Sequence, residues 1–168
     1  MTLELSGTEV VTAETLKKAF HRWHQGRALP PELLDLQLLA AFSAGSITSR
    51  SIYLYDYLFD LVVRQLCSLG APPPLSPAGD GAGIHHSARA QIAAQIARDF
   101  AFNDGYACPE RMAWSALFYR YLAPVRFSSE ELAQIAGLSD RHVRRLVERG
   151  LRYLARELCR AEMAACQQ

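Results

Sequence analysis

Between Arg141 and Arg160 the chain carries seven arginines, against only two acidic residues, Glu148 and Glu157. A guanidinium grips a phosphate or a guanine edge through two parallel hydrogen bonds, which a lysine ammonium cannot do. The window contains no lysine at all. Anion recognition is therefore the chemistry these residues offer, and a plain solvated helix face is the alternative reading. The charge is local. Residues 1–125 hold 10 basic and 11 acidic side chains (net −1), and residues 126–168 hold 8 and 6 (net +2), which sum to the overall +1.

Other chemistry is scarce. No Ser/His/Asp spacing, paired-carboxylate motif or glycine-rich phosphate loop occurs. His21 and His24 lie three apart without an acidic or cysteine partner placed beside them, so no metal is expected there. His85-His86 close a proline- and glycine-rich stretch and are expected to be merely exposed. Cys67, Cys108, Cys159 and Cys166 form no CxxC pair and read as reduced thiols acting as small hydrophobes, with Cys108 a turn residue before Pro109. The expectation is a non-enzyme without metal or cofactor. No apolar run approaches the roughly 20 residues of a membrane span, and MTLELSGTEV is not a signal peptide, so a cytoplasmic location without membrane contact is expected.

The elements that must position the arginines read as helical throughout. Thr12 suits an N-cap, after which Leu16, Ala19, Phe20 and Trp23 share a face and Gly26 stops the run. Pro30-Pro31 opens a second helix with Leu33, Leu34, Leu36, Leu38, Leu39 and Phe42 apolar nearly all round. A third spans residues 50–69. Tyr53, Tyr55, Tyr57 and Phe59 alternate within it, which spreads them around the helix as core. Ala71 to Gly83 holds four prolines and three glycines in thirteen residues, a linker or long loop. A helix near Ser87–Phe102, a turn at Asn103-Asp104-Gly105 and a helix from Pro109 to about Leu122 follow, and Pro124 ends the run.

Residues 127–146 carry two agreeing signals. The first is capping. Ser128 and Glu131 make a capping box, with Phe127 and Leu132 as its hydrophobic staple, so a helix starts at Ser129. Gly137 stops it as a left-handed residue, and Ser139 caps the next helix with Leu138 and Val143 as a second staple. The second is packing. A small residue where two short helices touch (Ala133), a glycine free to turn four later (Gly137) and a branched residue pointing back six later (Val143) are the pattern of a DNA-binding helix-turn-helix. With Val143 inward, Ser139, Asp140, Arg141, Arg144, Arg145 and Glu148 face outward. Asp140, Arg141 and Arg145 are expected at base edges, and Arg144, Arg149 and Arg126 at phosphates, with Ser128 and Ser129 adding contacts from the first helix.

Residues 112–158, MAWSALFYRYLAPVRFSSEELAQIAGLSDRHVRRLVERGLRYLAREL, resemble region 4 of bacterial sigma factors and related regulators. That resemblance implies a leading helix, an E-E-L-A-like first helix, a long recognition helix, and recognition of promoter DNA. Residues 1–70 lack the acidic, aromatic-rich signature of the domain by which small sigma factors hold polymerase. Helical segments joined to such a helix-turn-helix also resemble N-terminal modules of large bacterial signalling ATPases. Together these give an all-α expectation: residues 1–70 a helical partner-binding or dimerisation unit, 71–86 a linker or loop, and 87–168 a three-helix DNA-binding unit with a long recognition helix. The function expected is sequence-specific regulation of transcription through double-stranded DNA. A protein-binding adaptor and a divergent small sigma factor are the alternatives. Val147, Leu151, Leu154, Leu158, Ala161 and Ala165 make a coiled-coil-like seam, serving either a homodimer or this chain's own core.

Overall fold

The computed structural model describes residues 11–42, 46–73, 84–101 and 108–167, and every regular element among them is helical. The elements are α1 (Ala13–His24), α2 (Pro31–Leu34), a 3-10 segment (Gln37–Phe42), α3 (Ile47–Ser68), α4 (Ile84–Asp99), α5 (Pro109–Leu117), a π-helical turn (Phe118–Leu122), α6 (Ser129–Ala136) and α7 (Asp140–Ala165). None of these helices is long and apolar enough to cross a membrane. Residues 74–83 of the expected linker, the Asn103-Asp104-Gly105 turn and the segment MTLELSGTEV lie outside the described residues.

By its internal contacts the chain divides into two compact units, residues 1–58 with 151–168, and residues 59–150. The division passes through α3 and α7, so each of these helices contributes to both units.

In the first unit, α1 forms as its local sequence dictates. Thr12 Oγ1 accepts the Thr15 N–H at 3.2 Å. Leu16, Ala19 and Phe20 are fully buried, and Gly26 takes φ 63° to end the helix. Trp23 ties α1 to α3: its indole N–H donates to Ser51 Oγ at 2.7 Å, and its ring lies 5.3 Å from Tyr55, edge to face.

The second expected helix is not continuous. Its α-helical part ends after one turn, with Asp35 donating to Pro31 O, and the chain continues as the 3-10 segment. The break has a tertiary cause. The N–H groups of Gln37 and Leu38 donate to the two carboxylate oxygens of Glu162 on α7, at 2.6 and 3.0 Å, instead of to carbonyls one turn back. Glu162 is itself buried, so its charge is met by these donors. Glu162→Ala is expected to lower stability by about 1–2 kcal/mol, because two partly buried N–H groups lose a charged acceptor. Urea unfolding followed by circular dichroism checks this, and Glu162→Gln should recover part of the loss.

Along α3 the alternating aromatics are not the core. Leu54, Leu58, Leu61, Val62 and Leu66 are buried, at helical spacing, while Tyr53, Tyr55, Tyr57 and Phe59 are half-buried on the flanks. Residues two apart point 200° apart on a helix, so alternating positions cannot share the buried stripe.

In the second unit, α4 begins at Ile84, which places the backbone of His85 and His86 in its first turn instead of in a loop. It buries Ala88, Ile92 and Ile96, every fourth residue, and packs on α5 and α6. Pro109 occupies the first position of α5 after Cys108. The π-helical turn closes with Ala123 N–H donating to Phe118 O at 2.8 Å. Ala123 is then extended (ψ 147°), as a residue before proline must be, and the helix ends. Tyr119 is buried in this turn, and its hydroxyl donates to Asp99 Oδ2, whose other oxygen accepts from Gln95 at 2.7 Å. Burial, with the Asp99 carboxylate beside it, pushes the Tyr119 phenol far above its ordinary value, so it stays protonated. Gly150 of α7 lies directly against the α5 backbone: a Cβ there would sit 2.5 Å from Ala113 O and 2.9 Å from Leu117 Cβ.

Candidate nucleic-acid interface

The segment entering α6 is held before the helix begins. Phe127 N–H donates to Tyr119 O at 3.1 Å, and the side chains of Phe127 and Leu132 are both buried. The capping box then closes in both directions: Ser128 Oγ accepts from Glu131 N–H at 3.1 Å, and the Glu131 carboxylate accepts from Ser128 N–H at 2.7 Å. The Ser128 N–H, with Arg89 nearby, holds the Glu131 carboxyl below its usual range. Its stabilising contribution is thus present above the ordinary carboxylate pKa and is lost as pH falls through the depressed value.

At the far end of the eight-residue α6 Gly137 takes φ 66°, ψ 30°, and both its N–H and that of Leu138 return to Ala133 O. After this three-residue turn Ser139 Oγ accepts the His142 N–H at 3.2 Å, and α7 begins. Ala133 and Val143, expected at the helix contact, are both buried.

The first three turns of α7 place the expected residues as follows. Ser139, Arg141, Arg144, Arg145, Glu148 and Arg149 are exposed and Asp140 is half-buried. Val143, Leu146, Val147 and Gly150 form the buried side. Arg141, Arg145 and Arg149 recur every fourth residue, so they form one outward line. Arg144 lies off that line and is engaged at home, its guanidinium 2.8 Å from the Asp140 carboxylate one turn earlier. Arg126 and Ser128 are exposed and Ser129 is half-buried, at the end of α6 remote in sequence from the turn. Of the seam, Val147, Leu151, Leu154 and Leu158 are buried within the single chain, while Ala161 and Ala165 are half-buried.

Two residues of this region carry no obvious local signal. His142 is exposed in the first turn of α7, three residues before Arg145 and seven before Arg149 on the same side. Arg89 reaches from α4 to the start of α6. Its guanidinium lies 4.4 Å from the Phe127 ring centroid, donates to Arg126 O at 3.4 Å and pairs with the Glu131 carboxylate. It borders a shallow open cleft of about 320 Å³ between α4 and α6, with Ala90, Ala93, Gln134 and Ile135 completing the lining. No group of His, Cys, Asp and Glu among the described residues is arranged to hold a metal.

Fold and geometry together define an all-helical protein whose α6, turn and α7 present a line of arginines outward. Comparison with protein-family models, curated proteins and solved structures finds no match.

Proposed function

We propose that the chain is a sequence-specific DNA-binding transcription regulator in which α6, the Gly137 turn and α7 act as a helix-turn-helix and α7 enters the major groove. One observation carries the reading. A capped eight-residue helix is joined through a left-handed glycine to a long helix whose first three turns turn Arg141, Arg145 and Arg149 outward. In this assignment Arg141 and Arg145 read guanine edges in two-bond fashion, and Arg149 meets phosphates. Ser128 and Ser129 approach a phosphate from the start of α6, where helix amides favour anions. The resemblance of residues 112–158 to sigma region 4 points the same way.

A protein-binding use of the same helix pair is favoured by one feature, the Asp140 carboxylate that occupies Arg144. A titration of the full chain on random-sequence duplex over a range of salt separates the two. DNA binding predicts an affinity that falls steeply and log-linearly with salt as counterions are released. Absence of duplex affinity even at low salt would leave the protein-binding use standing and overturn this function.

A further inference from the structure

Resting on the DNA-binding function above, we propose that Arg89 of α4 is a positioning residue that sets the approach of α6 to the DNA backbone. Its three partners bracket the Ser128-Ser129 pair. Arg126 O and the Phe127 ring lie just before it, and the Glu131 carboxylate just after. One guanidinium thus lies over an aromatic face, donates to a carbonyl and meets a carboxylate, and only arginine carries donors spread widely enough for all three.

Two consequences follow for an approaching phosphate. The first is orientation. The capping box uses the N–H groups of Ser128 and Glu131 within the chain. The amides of Ser129 and Glu130 are the first-turn donors it leaves for an anion. Their direction depends on how α6 is seated against α4, and Arg89 fixes that seat at the end where they lie. The second is charge. Glu131 stands in the first turn of α6, where its carboxylate would repel a phosphate, and Arg89 neutralises it in place.

The contacts from Nη1 and Nη2 hold the Arg89 guanidinium on Arg126 O and the Glu131 carboxylate, so the proposal assigns it no phosphate, and this separates its signature from that of Arg149. The test uses the full chain with Arg89→Ala, Arg89→Lys and Arg149→Ala, each measured by amide hydrogen exchange over residues 127–132 and by duplex titration across salt. Arg89→Ala should speed exchange at these amides and weaken binding to all duplexes by roughly three- to tenfold, the scale of one cation–π contact and one half-exposed ion pair. Its salt slope should match the wild type, whereas Arg149→Ala should lower the slope by about one. Arg89→Lys should recover part of the affinity, since it restores the charge opposite Glu131 but not the second donor to Arg126 O. A slope lowered by one with unchanged exchange would make Arg89 a direct phosphate contact and overturn the proposal. Unchanged exchange and affinity would overturn it as well. A wild-type chain without duplex affinity would remove the DNA function and this role with it, and faster exchange in Arg89→Ala would then report packing alone.

Discussion

Gly150→Ala is expected to destabilise the second unit by at least about 2 kcal/mol, although alanine is the better helix former. On propensity alone the substitution should stabilise a helix interior by about 1 kcal/mol. The surroundings reverse that sign. The added Cβ would fall 2.5 Å from the carbonyl oxygen of Ala113 and 2.9 Å from Leu117 Cβ. The first is backbone, and the second is a Cβ fixed to it, so no rotamer change relieves the clash. α5 and α7 must move apart, which opens space around the buried Ala113 and Leu117. Overpacking of this kind costs about 1–3 kcal/mol, and a collision with backbone belongs at or above the top of that range. Thermal melting of the full chain reads the outcome. A raised melting temperature would mean that the two helices do not meet at Gly150.

A larger loss is expected from Val143→Asp, about 4 kcal/mol. Val143 is 1 % exposed on the first turn of α7. The aspartate would have to keep an unpaired charge away from water or take up a proton to avoid it, while the packing of two methyl groups is lost. The damage should fall on the pairing of α6 and α7, and it should lessen at acid pH, where a neutral carboxylic acid is the cheaper form to bury. Urea denaturation at neutral and acid pH measures both parts. A variant as stable as the wild type would show that Val143 does not join the two helices.

These two positions also mark what the sequence made legible. Gly137, Ser128, Glu131 and Ser139 were readable because their partners lie within four residues, and Val143 because its spacing from Ala133 and Gly137 follows the two-helix pattern. A capping box, a left-handed glycine and an N-cap serine are satisfied by their own turn. Gly150 gave no such signal, since its reason is Ala113, 37 positions away. Arg89 and Glu131 are 42 apart, and nothing local pairs them. The 125-position separation of Gln37 and Glu162 explains why the stretch from Pro31 to Phe42 read as one helix. Its apolar pattern was real, with Leu33, Leu36 and Leu39 all buried, but a distant carboxylate took its amide donors. Composition likewise marked the end of α3, after which residues 71–73 carry no regular structure. It could not mark which helices pack together, and α3 and α7 each serve two units.

Within the candidate interface, exposure followed the 3.6-residue repeat and so was legible for Arg141, Arg145 and Arg149. The engagement of Arg144 by Asp140 was not anticipated, although their four-residue spacing permits it. While the pair is closed, Asp140 is less available to a base edge, and Arg144 would have to give up the carboxylate to meet a phosphate.

Reading of the groove by α7 is tested most directly by comparing Arg145→Ala with Arg156→Ala. Both remove an exposed arginine from the same helix, three turns apart. In the proposed docking Arg145 lies where base edges are reachable, and Arg156 lies well beyond. Equilibrium titrations on a selected duplex and on random duplexes should show Arg145→Ala losing about 1–3 kcal/mol on the selected sequence, with preference relaxed at one base position. Arg156→Ala should bind both duplexes as the wild type does. Equal losses at the two positions would contradict groove reading by α7, even if the chain still bound DNA.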